Sequence, residues 1–290
     1  MLENRWIFAA AVAFGACFAG TAFAAEVPWH LIAGGEELRS FQREVVEEVL
    51  ARAEGYGDCD GLILDCLARN PEDRTARRLA DFVVRRVRAD RDPEEILQEI
   101  EDRRISALPP IVHQPDLSGL DPAGDADAPV KVVIYADFGC PYCKVATSSF
   151  RQWASDEPDK IAFYFKNFPL KSNEHAVPAA LALLAADRQG RFWEMVDHLY
   201  EHDSDLGEDV YKGCAAALGM DEEKFEADRK DKALVNLLRE EKTEALRFGV
   251  RNTPGIFING KRYLGVKTAE ELYDRVDEEL EMVAATAEKK

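Results

Sequence analysis

Two cysteines separated by two residues, Cys140 and Cys143 in the motif Cys-Pro-Tyr-Cys, constrain the fold of this chain more than any other feature. The residues before the motif, 130–135, are β-branched and aromatic and predict a buried strand that ends at 137–139. The residues after it, 144–153, predict a helix. The two thiols therefore lie between a strand and a helix, where they can form and break a disulfide without refolding of the chain.

The start of a helix is a favourable place for an ionised cysteine, because unpaired backbone N–H groups and the positive end of the helix dipole stabilise a thiolate. Pro141 suits the first helical position, since its φ is fixed and it has no N–H. Cys143, one turn further on, is placed to attack a mixed disulfide formed at Cys140. The motif therefore predicts thiol-disulfide exchange, with Cys140 as the nucleophile and Cys143 as the resolving thiol.

Half of a zinc site is the alternative interpretation of a single Cys-x-x-Cys, because structural zinc usually needs four ligands. There is no second such motif, and Cys59, Cys66 and Cys214 lie among residues that are not obvious ligands. His198 and His202 belong to a short string of the metalloprotease type, which we interpret as an ordinary polar helix face. We predict no metal and no cofactor.

A second motif follows much further along the chain, where Thr253-Pro254 precedes a predicted strand and an Asn-Gly hairpin turn. Together with the strand, the Cys-Pro-Tyr-Cys motif and the helix, and with shorter runs at 166–170 and 192–193, this order resembles the DsbA-like branch of the thioredoxin superfamily, the periplasmic thiol-disulfide oxidoreductases. The resemblance covers about residues 129–281.

The resemblance implies an α/β fold, thioredoxin-like, over residues 129–284, with a helical subdomain inserted at about 172–248. It also implies that Pro254 follows a cis peptide bond beside the dithiol and that the backbone at Thr253 pairs with an extended substrate segment. An ordinary turn is the alternative for Thr-Pro-Gly. The residues expected to support the site surround the dithiol: Asp137, Phe138, Pro141 and Tyr142.

The chain departs from the family pattern six residues before the first cysteine. Thioredoxin and many DsbA-like proteins carry a buried acid there, and this chain has Ile134. Asp137 is either a partial substitute for that acid or a strand-end residue that caps the following turn. How Cys143 loses its proton is left open by the sequence.

The first 25 residues predict a cleaved signal peptide, because Arg5 precedes an apolar run at 6–18 and a small-x-small cleavage site follows at 22–24. An uncleaved membrane anchor and a lipoprotein acylated at Cys17 are the alternatives. Each of the three predicts export, to the periplasm or out of the cell, where disulfides persist.

Residues 26–108 predict a separate small all-α domain. The stretch 26–114 contains thirteen arginines and no lysine, whereas the rest of the chain uses both. Apolar residues such as Phe41, Val45 and Val49 repeat at helical spacing, and Asp92 followed by proline and two glutamates predicts a helix start. Residues 109–128 are rich in proline, glycine, aspartate and alanine and predict an extended linker.

Cys59 and Cys66 lie close enough in this helical domain to form a disulfide, which would stabilise a unit with a small core. A second redox pair that relays electrons to Cys140 is the alternative. The order of cysteines and helices faintly resembles the helical domain of CcmH-type cytochrome c maturation proteins, although those carry a Cys-x-x-Cys. Cys214 is expected to be a buried free thiol.

The formal net charge of −18 makes nucleic acid an improbable partner. Three functional hypotheses follow. The protein is an oxidase that introduces disulfides into exported proteins, or an isomerase or reductase, for example in cytochrome maturation, or a binding or chaperone module without enzymatic activity. The expected partners are exported proteins with cysteines and a membrane or periplasmic redox partner. The oligomeric state is left open.

Overall fold

The structure is a computed structural model that describes residues 26–288. The predicted signal segment, 1–25, lies outside the described residues. The N-terminal part is helical, and its helices are α1 Ser40–Leu50, α2 Ile63–Arg69, α3 Arg74–Arg88 and α4 Pro93–Ala107. Asp92 caps α4 by accepting the Glu95 N–H at 2.9 Å, as the helix-start pattern predicts. These helices enclose an apolar core of their own.

The face of α1 that packs inward differs at one position from the one that the spacing of Phe41, Val45 and Val49 indicated. Val49 is fully buried and Val45 packs against the core, but Phe41 is 54% exposed and Val46 is buried in its place. α1 packs against α3 and α4, and this contact selects the side of the helix that carries Val46. Because Val45 and Val46 are adjacent, the sequence of this short helix does not determine which side faces inward. The helices that pack against α1 determine it.

The remainder of the chain is built on a four-stranded sheet of order β2-β1-β3-β4. Its strands are β1 Val130–Ala136, β2 Ile161–Asn167, β3 Gly255–Ile258 and β4 Lys261–Tyr263. β1 and β2 are parallel, whereas β3 is antiparallel both to β1 and to β4. The predicted hairpin turn joins β3 to β4, and both of its residues, Asn259 and Gly260, have a positive φ.

Helices cover both faces of this sheet. The helix after the cysteine motif, α5, spans Pro141–Asp156, and the last helix, α11, spans Ala269–Glu288. Five helices lie between β2 and β3, where the insertion was expected: α6 Ala176–Asp187, α7 Phe192–Glu201, α8 Glu208–Ala217, α9 Glu222–Asp228 and α10 Lys232–Arg247. Side chains of α5 and α11 belong to the core on one face, whereas α10 contributes Leu234 and Leu238 to that core and Ala245 to the core on the other face.

The predicted linker is an extended segment that lies on the sheet domain. The His113 N–H donates to the Gly260 carbonyl at 2.8 Å, and Ala123 pairs with Phe163 on β2. At its start, the Leu264 N–H, just after β4, donates to the Ser106 hydroxyl of α4 at 2.8 Å. α4 and this segment therefore lie beside β4, which is an edge strand of the sheet.

Within residues 26–288, no helix is both long enough and apolar enough to cross a membrane.

Candidate active site

Cys140 is the residue immediately before α5, and its extended backbone (φ −102°, ψ 114°) makes it the N-cap of that helix. Pro141 takes the first helical position, as the motif predicted. Cys140 is only 9% exposed, and its Sγ lies 3.5 Å from the carbonyl oxygen of Thr253. The nucleophile predicted from the sequence is thus at the helix start and at the Thr253 loop simultaneously.

The surroundings of Cys140 lower its pKa from 9.0 to about 6. The largest cause is the hydrogen bond donated by the Cys143 thiol, and the backbone N–H groups of Cys143 and Tyr142 act in the same direction. Burial opposes the shift. Cys140 is therefore a thiolate at neutral pH.

Cys143 has the opposite character. It is fully buried among apolar residues, and burial raises its pKa far above the ordinary value of 9.0. Both thiols are free in this structure. The pair therefore consists of one ionised thiol that is slightly exposed and one protonated thiol that is fully buried.

Thr253 and Pro254 lie directly before β3, and the bond between them is cis. Since β3 pairs with β1, the start of β3 lies beside the end of β1. This topology brings Thr253 to Cys140 although they are 113 residues apart in the chain. The Thr253 backbone borders the nucleophile at the end of the sheet.

Asp137 is buried at the end of β1, where both of its carboxylate oxygens accept hydrogen bonds. Oδ1 accepts the Gly139 N–H at 2.8 Å and the Asn173 amide at 2.7 Å, and Oδ2 accepts the Leu170 N–H at 2.7 Å. A Cβ at residue 139 would lie 2.5 Å from the Asn173 amide nitrogen, so a larger residue there would displace the Asn173 side chain from Asp137. Of the two roles left open for Asp137, these contacts are those of a turn cap.

Ile134 and Phe138 form the apolar floor of the site. Ile134 is fully buried in the core cluster that contains the dithiol, so the place of the family's acid is apolar here. The Phe138 ring packs on Phe165 and Tyr200 with centroid distances of 5.4 and 4.8 Å. Tyr142 lies at the opposite extreme, since it is 65% exposed at the rim of the site.

A buried acid lies at the end of β2, and we did not single it out from the sequence. Glu241 in α10 is 4% exposed and binds the last residue of β2, Asn167. The sequence contains a signal for it, because Leu234, Leu238, Glu241 and Ala245 follow helical spacing and place a carboxylate in an apolar stripe.

Cys59 and Cys66 are joined by a disulfide whose Cα atoms are 5.5 Å apart, and both residues are buried. Cys214 is buried and free, and burial raises its pKa. Among residues 26–288, no group of three or more His, Cys, Asp or Glu side chains is arranged to hold a metal ion.

Residues 122–278 match the family model described as thioredoxin, and this stretch is more than half of the chain. The chain belongs to the thioredoxin family. In fold this family member resembles oxidised BdbD from Bacillus subtilis, with a TM-score of 0.53 and 22% identity over 59% of this chain and 98% of that one. It also resembles α-DsbA1 from Wolbachia pipientis, with a TM-score of 0.53 and 18% identity over 59% of this chain and 96% of that one.

The expected DsbA-like α/β fold, preceded by helices, is thereby confirmed. In this fold the two free thiols lie at the junction of a strand and a helix, as predicted from the sequence.

Part of the chain is also similar to proteins of another kind. It is 35% identical over 146 residues to the Na⁺/H⁺ antiporter NhaA 1 of Mycolicibacterium gilvum, which is 49% of this chain and 24% of that protein. It is 35% identical over 150 residues to NhaA 1 of Salinispora arenicola, which is 51% of this chain and 23% of that protein. This thioredoxin-family chain thus spans about a quarter of the length of the curated relatives it matches.

Proposed function

We propose that this protein is an exported disulfide donor, which oxidises pairs of cysteines in other exported proteins through Cys140 and Cys143. The observation that carries the proposal is the difference between the two thiols. Cys140 has a pKa lowered to about 6, and Cys143 is buried and protonated. A reduced form with a well-stabilised thiolate makes the corresponding disulfide a strong oxidant.

The reaction begins from the disulfide form. A substrate thiolate attacks Sγ of Cys140, the S–S bond to Cys143 breaks, and Cys143 leaves with the electron pair. Because burial favours the neutral form of Cys143, its sulfur takes up a proton. The product is a mixed disulfide between the substrate and Cys140.

A second substrate thiolate then attacks the substrate sulfur of the mixed disulfide, and Cys140 leaves as a thiolate. Leaving is fast when the pKa of the leaving thiol is low. Two electrons have passed from two substrate thiols to the protein dithiol. An exported or membrane-bound redox partner must then remove these electrons to restore the disulfide.

The surface beside Cys140 fits an extended segment of a substrate protein. The Thr253 carbonyl, 3.5 Å from the nucleophile, lies just before a strand and is available to pair with the backbone of such a segment. Tyr142 and Val145 are 65% and 46% exposed on α5 and provide apolar contacts for its side chains. This arrangement supports recognition of an unfolded or flexible region around the substrate cysteine.

Export is supported by the signal-peptide pattern in residues 1–25 and by the Cys59–Cys66 disulfide. The second redox role considered for that pair has less support, because neither Cys59 nor Cys66 retains the slight exposure that Cys140 has. We therefore assign the Cys59–Cys66 disulfide to the stability of the helical part.

The reduction potential of Cys140 and Cys143 tests the proposal. Residues 26–290 are equilibrated with glutathione redox buffers, and the oxidised fraction of Cys140 is followed by alkylation and mass spectrometry. A disulfide donor is expected to have a potential well above about −270 mV, in the direction of about −120 mV. A potential near about −270 mV would contradict the proposal and indicate a reductase that needs an electron source.

A variant with Cys140→Ser and Cys143→Ser separates the enzymatic function from a binding or chaperone function. We expect it to lose oxidation of a reduced, unfolded substrate completely. The Cys214→Ala variant is the matched control, because Cys214 is the other free thiol among the described residues. It is expected to oxidise substrate at the wild-type rate.

A further inference from the structure

Glu241 of α10 connects the inserted helices to the end of β2. Its Oε2 accepts two hydrogen bonds from Asn167, one from the backbone N–H at 3.0 Å and one from the side-chain amide at 2.9 Å. The next residue on the helix, Lys242, donates to the carbonyl of Pro169. α10 thus fixes the short segment that leaves β2.

That segment in turn holds the turn that carries the nucleophile. Leu170 and Asn173 donate to the carboxylate of Asp137, each at 2.7 Å. The same carboxylate accepts the Gly139 N–H at 2.8 Å, and the Asp137 carbonyl accepts the Cys140 N–H at 3.1 Å. An unbroken series of contacts therefore runs from Glu241 to the backbone of Cys140.

We propose that Glu241 is a positioning residue for Cys140: in its ionised form it fixes the end of β2, and through Asp137 the turn before α5, in the arrangement that favours the Cys140 thiolate. A charged carboxylate accepts two N–H groups more strongly than a protonated one does. When Glu241 takes up a proton, the hold on Asn167 weakens and the N–H groups that face the Cys140 sulfur are less well aligned.

The charge of Glu241 changes near neutral pH. Burial raises its pKa from 4.5 to about 7, and the hydrogen bonds from Asn167 and the charge of Lys166 oppose this shift. The charged side chains that surround it line a pocket of about 270 Å³: Asp116, Lys166, Glu240, Glu244 and Arg247. Lys166 forms an ion pair with Glu244, which also accepts the Tyr135 hydroxyl, and the negative charge of Glu244 adds to the rise in the Glu241 pKa.

The direction of the coupling distinguishes positioning from simple charge repulsion. Two nearby acids that only repel each other titrate over a broadened pH range, because each anion disfavours the other. If Glu241 positions Cys140, the coupling between the two ionisations has the opposite sign, because ionised Glu241 favours the Cys140 thiolate. Thiolate formation at Cys140 is then steeper with pH than a one-proton curve.

The test is a titration of the Cys140 thiolate by its absorbance at 240 nm, in reduced wild-type protein and in Glu241→Gln. Glutamine keeps the shape and one acceptor but cannot ionise. We expect a curve steeper than one proton in the wild type. In the variant we expect a one-proton curve with a midpoint about half a unit higher, which is about a threefold lower ratio of thiolate to thiol.

Glu240→Gln is the matched control, because it removes the same charge from an exposed neighbour in the same helix. It is expected to leave both the midpoint and the steepness unchanged. An unchanged midpoint in Glu241→Gln, or a lower midpoint together with a broadened wild-type curve, would overturn the proposal.

A second measurement needs no variant. Coupling is reciprocal, so the Glu241 carboxyl, followed by NMR, should itself titrate more steeply than one proton in the reduced protein and as one proton in the disulfide form, which has no Cys140 thiol to ionise. A one-proton or broadened carboxyl curve in the reduced form would refute the inference.

The inference rests on the thiol chemistry proposed for Cys140, but not on the direction of electron flow. A reduction potential near about −270 mV would refute the disulfide donor and leave the titration to decide on Glu241. Conversely, a failed titration would leave the donor proposal intact.

Discussion

Arg85 of α3 and Glu271 of α11 form a two-pronged ion pair between the N-terminal helices and the thioredoxin-family domain, with Nε to Oε1 at 2.8 Å and Nη2 to Oε2 at 3.0 Å. Arg103 of α4, which is 3% exposed, extends the contact to Asp274 at 2.7 Å. The paired charges are mostly shielded from water. The two parts of the chain are therefore held together by buried charges, each of which would be left without a counter-ion if its partner were removed.

Replacement of Glu271 by alanine should destabilise the protein strongly. The substitution leaves Arg85 and Arg103 without one of their buried acceptors, and removal of one partner of a buried ion pair costs about 3 kcal/mol or more. Urea unfolding at pH 7 measures the change. Glu270→Ala is the control, because the Glu270 side chain is 69% exposed and 3.5 Å from Arg85, and the expected loss is below about 1 kcal/mol. Equal effects of the two substitutions would contradict the importance of burial.

Ser106 should matter more for stability than its size suggests. Its buried hydroxyl donates to the Asp102 carbonyl and accepts the Leu264 N–H just beyond β4. In Ser106→Ala the Leu264 N–H loses its acceptor, which costs about 1–3 kcal/mol. Thermal and urea unfolding give the value. Ser149→Ala, in which an exposed hydroxyl bonds only to its own helix, is expected to change stability by less than about 0.5 kcal/mol.

Removal of the Cys143 thiol should raise the pKa of Cys140. The Cys143 S–H is the largest cause of the lowered value of about 6, and a hydrogen bond to a charged group contributes about 1.5–3 kcal/mol. Cys143→Ala is therefore expected to shift the thiolate titration upward by about one unit or more. Alkylation of Cys140 with iodoacetamide over a pH series measures it. A midpoint that stays near 6 in this variant would assign the shift to the helix N-terminus instead.

The same lowered pKa fixes the pH dependence of the reduced protein. The folded state lowers the Cys140 pKa from 9.0 to about 6, so ionised Cys140 stabilises the reduced form fully above pH 9. This contribution is lost as the pH falls towards 6. The reduced protein should therefore lose stability relative to the disulfide form between pH 9 and pH 6. Parallel urea unfolding of the two forms tests this, and a constant difference across that range would contradict it.

Loss of the Cys59–Cys66 disulfide should weaken the helical part without affecting exchange at Cys140. A bridge across seven residues restricts the unfolded chain and contributes about 2 kcal/mol. Cys59→Ala with Cys66→Ala is expected to lower the unfolding free energy by this amount and to leave the reduction potential of the dithiol unchanged. A changed potential would instead support an electron relay between the two pairs.

Local patterns in the sequence identified much of the fold correctly. The strand before the dithiol, the helix start at Pro141 and the Asn259-Gly260 hairpin depend on backbone preferences of a few neighbouring residues, which act in any context. The face of α1 was wrong at Phe41, because adjacent apolar residues allow more than one buried side. Glu241 was missed because a charged residue is ordinarily expected at the surface.

The sequence by itself determined that two thiols lie at a strand-to-helix junction, where they can exchange disulfides. The strand, the dithiol and the helix are formed by residues that are neighbours in the chain. The tertiary structure decided how the two sulfurs differ. Burial of Cys143, the approach of Thr253 to Cys140 and the contacts from Glu241 to Asp137 join segments that are distant in the chain. The pKa of a thiol depends on the charges, hydrogen bonds and solvent within a few ångströms of the sulfur, and only the folded chain places these groups there.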